Sequence, residues 1–133
     1  MKKLILTVGL PRSGKTTWAR QQNVPMVNRD SIRLALHGER YLPEAEGMIS
    51  VLEENMVKSL FLAGHDTVIV DATHNTEKRR KRWVSDKWEI ELKIIPFGKE
   101  ICIQRAIAEN DNEIIPIIEK MACELDIDSE EIA

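Results

Sequence analysis

The sequence predicts an α/β fold, a mostly parallel four-stranded sheet flanked by helices and followed by a helical lid, and three observations carry that prediction. Short apolar runs of strand length at residues 4–8, 24–28, 67–71 and 89–95 alternate with stretches of helical periodicity. The first run leads directly into Gly9-Leu-Pro-Arg-Ser-Gly-Lys15-Thr16, which fits the phosphate-cradling pattern G-x-x-x-x-G-K-[S/T] at every fixed position. The second and third runs end on polar residues, where an open α/β sheet gathers its ligands.

The first element is thus a strand, a P-loop and a helix in the order that the pattern requires, which makes the predicted architecture a three-layer P-loop NTPase fold. Successive backbone N–H groups must curl round an oligophosphate, and Gly9 and Gly14 permit that without Cβ clashes. Pro11, Arg12, Ser13 and Thr17 complete the candidate cradle. Lys15 is placed to reach the outer phosphates, and the Thr16 hydroxyl to ligate Mg2+ at the first turn of the helix.

Residues 24–28 read as a second strand, with Pro25 confining its start. Arg29-Asp30-Ser-Ile-Arg33 follows at its C-terminal end. Asp30 is either a chemical group facing the phosphates or a helix N-cap paired with Arg33, and the residues alone leave both open. A loop at 37–43 precedes a helix over 44–63, whose apolar stripe of Met48, Ile49, Leu52, Met56, Leu60 and Ala63 predicts a core face closed by Gly64. Residues 67–71 form a run buried on both faces that ends in Asp71, a position suited to holding Mg2+ directly or through water.

The polar connection 72–76 has no metal-ligand spacing. A helix is expected over 77–88, with Arg80 on the side of Trp83, Val84 and Trp88, and Lys78 and Arg82 facing away. The tryptophans read as core rather than as a nucleic-acid platform. Alternating residues 89–95 predict a half-exposed edge strand. Two helices, at 99–108 and 114–125, then form the expected lid region.

With 133 residues and 43% hydrophobic content, a single domain over 1–133 is expected. Cys102 and Cys123 lack ligand spacing and read as free buried thiols, which suits a reducing, cytoplasmic setting. The N-terminal apolar run is broken too early for a leader, and none of the runs is long enough to cross a bilayer. Charge is uneven: residues 1–42 hold eight Lys or Arg against two acids, and residues 109–133 nine acids against one Lys. The acidic tail reads as a solvated helix end or frayed terminus.

Gly9 to Arg20, Asn28-Arg-Asp-Ser-Ile-Arg33 and Asp71-Ala-Thr-His-Asn-Thr-Glu-Lys-Arg79 together resemble the kinase domain of phage and bacterial polynucleotide 5'-hydroxyl kinases. The resemblance implies ATP and Mg2+ as cofactors and nucleic acid 5'-hydroxyl ends, DNA or RNA, as the acceptor. It implies that Lys15 and Thr16 bind ATP and Mg2+, that Asp30 is the general base, and that Arg33 holds the phosphate beside the 5' end. Asp71 would support the base or the metal, and Arg105 would brace the ATP phosphates from the lid. Where such lids carry a second arginine one turn on, this chain has Glu109. Arg79 or Arg80 is the expected substitute cation. A small-molecule P-loop kinase, a non-catalytic nucleotide-binding protein and a homo-oligomeric state are the alternatives that these residues leave open.

Overall fold

The computed structural model describes residues 1–126. The elements are β1 (Lys3–Val8), α1 (Lys15–Gln21), β2 (Met26–Asn28), α2 (Arg29–His37), α3 (Glu46–Leu62), β3 (Thr67–Asp71), α4 (Glu77–Lys81), β4 (Glu89–Ile94), α5 (Lys99–Ala108) and α6 (Ile115–Glu124). Single 3-10 turns at Pro43–Ala45 and Asn112–Ile114 lead into α3 and α6. Among the described residues the sheet has four strands, all parallel, in the order β2-β3-β1-β4. Every strand therefore ends on the same edge, which collects Gly9, Arg29, Ala72 and the 95–98 turn. The predicted P-loop NTPase architecture is the observed one.

The central strands β1 and β3 are apolar because both faces are covered: Leu4, Leu6, Val68, Ile69 and Val70 are all fully buried. β4 pairs only with β1 and alternates charged with apolar residues, as an edge strand should. Helix α2 starts at Asn28, whose Oδ1 accepts the Ser31 N–H at 2.7 Å, and stops at Gly38, which adopts φ +67°.

Two expected helices differ from the structure. The buried face of α3 is Ile49, Glu53, Val57 and Phe61, while Met48 and Met56 are exposed. The face is turned by about one residue because one of its positions carries an acid, which a hydrophobic pattern reads as solvent-facing. Glu53 is fully buried, and its Oε1 accepts from Arg29 and from Arg82, the latter at 2.9 Å. The expected helix over 77–88 is also shorter in the structure. The helix ends at Lys81 instead of running to 88, and Arg82 turns inward to Glu53 with its guanidinium 4.3 Å from the Trp83 ring. Val84 is left exposed, while Trp83 and Trp88 are core, as expected.

Glu53→Gln keeps the volume and strips the charge from this three-way contact, leaving Arg29 with Glu46 and Arg82 with Glu54 as their remaining carboxylates. Breaking a buried ion pair from one side costs about 3–5 kcal/mol, so urea unfolding of the variant is expected to show a midpoint shift of that size with an unchanged slope.

Cys102 is buried, but Cys123 is exposed, because α6 turns that position away from the core of Cys102, Ala106, Ile118 and Leu10. Through Leu10, the α5–α6 pair packs onto the P-loop itself. Asp126, at the head of the acidic tail, is not frayed: its carboxylate accepts from Arg80 at 2.6 Å and its N–H donates to the Asn75 carbonyl at 3.1 Å. The rest of that tail lies outside the described residues. No helix of the described residues is long and apolar enough to cross a membrane.

Candidate active site

The P-loop leaves β1 at Val8 and re-enters regular structure at Lys15, and its two glycines are needed for different reasons. A Cβ on Gly9 would lie 2.8 Å from Ser13 Oγ and 3.3 Å from Ile95 Cβ, so only glycine lets the loop close on itself there. Gly14 adopts φ +102° as the N-cap of α1 and supplies no side-chain cap, which leaves the first-turn amides of α1 open. Arg12 also adopts a left-handed φ, +69°. Ser13 Oγ is buried without a hydrogen-bond partner among the described residues. A cradle with open amides and an orphaned hydroxyl has the chemistry of a phosphate site.

Lys15 is 9% exposed and its Nζ donates to the Leu10 carbonyl at 2.9 Å. Burial lowers its pKa, while Asp71 and Asp30 pull it back up. Its ammonium is thus held near carboxylates without an ion pair to either. Asp71, on the last residue of β3, is buried, and its Oδ2 accepts from Thr16 Oγ1 and from Asn28 Nδ2, each at 2.6 Å. β2 pairs with β3 so that Asn28 faces Asp71, and this register delivers the second donor. Among the described residues no group of three or more His, Cys, Asp or Glu side chains could hold a metal. One carboxylate beside one hydroxyl does fit Mg2+, which takes few protein ligands and fills its shell with phosphate oxygens and water.

Asp30 and Arg33 lie on the first turns of α2. Asp30 is not the helix cap, since Asn28 takes that role, and its side chain is largely exposed. It accepts from Arg33 at 2.7 Å. The other edge of Arg33 is held by Glu46, from Nε at 3.0 Å and Nη2 at 2.5 Å, and Glu46 also takes Arg29. These guanidiniums hold the Glu46 carboxyl below its usual range against the effect of burial. Glu46 escapes a sequence reading because a helix-start glutamate is ordinary.

The lid residue Arg105 does reach the cradle. Its Nη1 donates to the Arg12 carbonyl at 3.0 Å, and its guanidinium rests 4.5 Å from the centre of the Phe97 ring. Arg79 and Arg80 do not reach it. Arg79 donates to Asn75 and lies near Glu124, and Arg80 bonds Asp126 and the His74 carbonyl. The cation found beside Glu109 is Arg12, which pairs with that carboxylate and, at 2.6 Å, with Asp111. Asp111 also accepts twice from Arg40, at 2.6 and 2.7 Å. Its carboxyl is held far below the usual range by those two guanidiniums.

Between α1, the end of β4 and α5 lies a cleft of about 480 Å³, lined in part by Ser13, Thr17, Trp18, Lys93, Phe97 and Arg105. Lys93 and Phe97 lie outside the motifs, and sequence reasoning misses them, while Trp18 lies within the Gly9–Arg20 stretch but takes no role from it. Thr7, outside the motifs, and His74, within the Asp71–Arg79 stretch, fasten the β3 exit. Thr7 Oγ1 donates to the Ala72 carbonyl at 2.9 Å, and His74 Nδ1 donates to the Thr7 carbonyl at 2.7 Å. Burial lowers the His74 pKa from 6.5 to about 4. As pH falls the unfolded chain takes up this proton first, so stability is full above 6.5 and declines between 6.5 and 4, by about 3 kcal/mol in total. Chemical denaturation across that range is expected to show the decline, and His74→Asn to flatten it.

Residues 4–111 match the family described as an AAA domain. The chain belongs to the AAA domain family. Among solved structures this AAA domain is similar to a chain of the Pnkp1/Rnl/Hen1 RNA repair complex, at 28% identity and a TM-score of 0.78, covering 93% of this chain and 44% of that one. A second Pnkp1/Rnl/Hen1 complex gives 31% identity and a TM-score of 0.70 over 78% of this chain and 38% of that one. A shikimate kinase from Bacteroides thetaiotaomicron, 21% identical with a TM-score of 0.55 over 90% of this chain and 76% of that one, shares the fold. The AAA domain thus spans less than half the length of the two repair-complex chains. It has a P-loop kinase fold, a nucleotide-binding architecture, and the resemblance read from its three motifs agrees with these similarities.

Proposed function

We propose that this AAA domain, as a single unit over residues 1–133, transfers the γ-phosphoryl group of ATP to the 5'-hydroxyl end of DNA or RNA. The observation that carries the reading is the exposed Asp30 paired with the largely buried Arg33 at the end of β2, on the same sheet edge as Lys15, Thr16 and Asp71. A carboxylate next to a guanidinium suits an acceptor with a hydroxyl to deprotonate and a phosphate close by. The likeness to a chain of an RNA repair complex supports nucleic acid as that acceptor.

In this reading the cradle from Gly9 to Thr17 holds the triphosphate and the cleft beside Trp18 and Phe97 takes the nucleoside. Mg2+, held by Thr16 and Asp71, would neutralise phosphate charge. Asp30 takes the proton of the 5'-hydroxyl as its oxygen bonds to the γ-phosphorus, and the bond to the β–γ bridging oxygen breaks to release ADP. Lys15 and Arg105 supply positive charge where the transferred group gains negative charge.

The test is incubation with γ-labelled ATP and matched 5'-hydroxyl DNA and RNA oligonucleotides, alongside 5'-phosphorylated oligonucleotides and a panel of nucleosides and sugars. Label on the 5'-hydroxyl strands alone is expected. Label confined to the small molecules, or to none of the acceptors, overturns the reading.

A further inference from the structure

We propose that Tyr41 is a stacking platform for the nucleobase of the acceptor's 5'-terminal nucleotide, an inference that rests on the proposed function and extends it to the substrate's base. Tyr41 is 58% exposed, in the loop between α2 and the turn that opens α3. Its ring centre lies 5.9 Å from the Arg33 guanidinium carbon, and Arg33 in turn is bonded to Asp30. Contacts link the three side chains in order: Asp30, a carboxylate for the hydroxyl; Arg33, a guanidinium that Glu46 also holds; and Tyr41, a largely exposed ring with that guanidinium over it. A 5'-terminal nucleotide presents its hydroxyl, its 3'-side phosphate and its base within one sugar, in the same order.

The loop that carries Tyr41 is held in place on both sides. Gly38 closes α2 with a bond from its N–H to the Leu34 carbonyl at 2.9 Å, and Pro43 starts the next turn. Arg40, the neighbour of Tyr41, is tied to Asp111. An aromatic ring on a tethered loop loses little freedom when a base settles on it. Stacking also explains how one site can accept different sequences, because every base offers a π face. Neither the cradle nor the cleft beside Trp18 uses this ring, and Tyr41 makes no side-chain hydrogen bond among the described residues.

The experiment is a cycle in the full chain of two changes, Tyr41→Ala in the protein and removal of the 5'-terminal base from an otherwise identical 5'-hydroxyl oligonucleotide. Each change alone is expected to raise the oligonucleotide KM by roughly tenfold, and both together to raise it no further, with the KM for ATP unchanged. Tyr41→Phe is expected to behave as the parent. If Tyr41→Ala acted only by shifting Arg33, its effect would be the same with and without the base, and the two changes would multiply. That result, or an unchanged KM in Tyr41→Ala, overturns stacking while leaving 5'-hydroxyl transfer standing. If the parent chain phosphorylates neither oligonucleotide, the proposed function fails and takes this inference with it.

Discussion

Lys15→Met is expected to cut phosphoryl transfer by about 10^2–10^3-fold while leaving the fold as stable as before or slightly more so. The ammonium sits in a buried position that lowers its pKa, and its one hydrogen bond among the described residues runs to the Leu10 carbonyl. Methionine keeps the length and the apolar stem and removes the cost of burying the charge. A lysine retained for packing would destabilise the protein when lost. One retained to meet an anion gives the opposite signature: stability held, transfer cut. Removing a preorganised charge from a transferring group costs about 10^2–10^3-fold in kcat, and the affinity for ATP is expected to fall with it. Thermal unfolding, calorimetric titration with ATP and a labelled-transfer assay on the same preparation read all three. A variant that loses stability in step with activity would assign Lys15 to the core instead.

Asp30→Asn is the second large effect. It should reduce transfer by about 10^2–10^4-fold, the usual contribution of a positioned base, and leave ATP binding intact. The geometry makes this substitution clean. Asn28 caps α2, so the helix start does not depend on Asp30, and Arg33 keeps its pairing with Glu46 when the exposed Asp30 carboxylate is lost. Asparagine preserves the shape and can still face Arg33. Full transfer by this variant would remove Asp30 from the chemistry and return it to the role of a surface ion pair.

The parts of the fold that were legible in the sequence are those where a local pattern and its tertiary use coincide. The four strands were readable because runs buried on both faces, and one alternating edge, leave direct marks. The cradle was readable because its backbone demands glycine at Gly9 and Gly14. What stayed hidden involved polar groups used inside the protein. Glu53 looks like a solvent-facing residue of an amphipathic helix, and only the convergence of Arg29 and Arg82 on it explains the turned face of α3. Helical spacing placed Arg80 inward, and it meets the carboxylate of Asp126 there, but it placed Arg82 outward, whereas Arg82 turns in to Glu53 just past the end of α4. In the candidate site, Lys15, Thr16, Asp71, Asp30 and Arg105 were each readable from a motif or the family it resembles. The partner of Glu109 was not, because Arg12 lies 97 residues away along the chain.

Asp111 belongs to none of the motifs, yet it joins three separate parts of the protein: the P-loop through Arg12, the Tyr41 loop through Arg40, and the connection between the two lid helices on which it stands. One carboxylate shared between two guanidiniums is a balance, and pulling one of them away strengthens its hold on the other. Under the proposed function, an anion that draws Arg12 toward the cradle is expected to tighten the Arg40 contact beside Tyr41. Free-energy linkage would make the effect mutual: an acceptor that steadies the Tyr41 loop is expected to raise the affinity for nucleotide by the same factor. Simultaneous measurement of both affinities would register the connection as a single coupling constant, and Asp111→Asn would bring that constant toward unity.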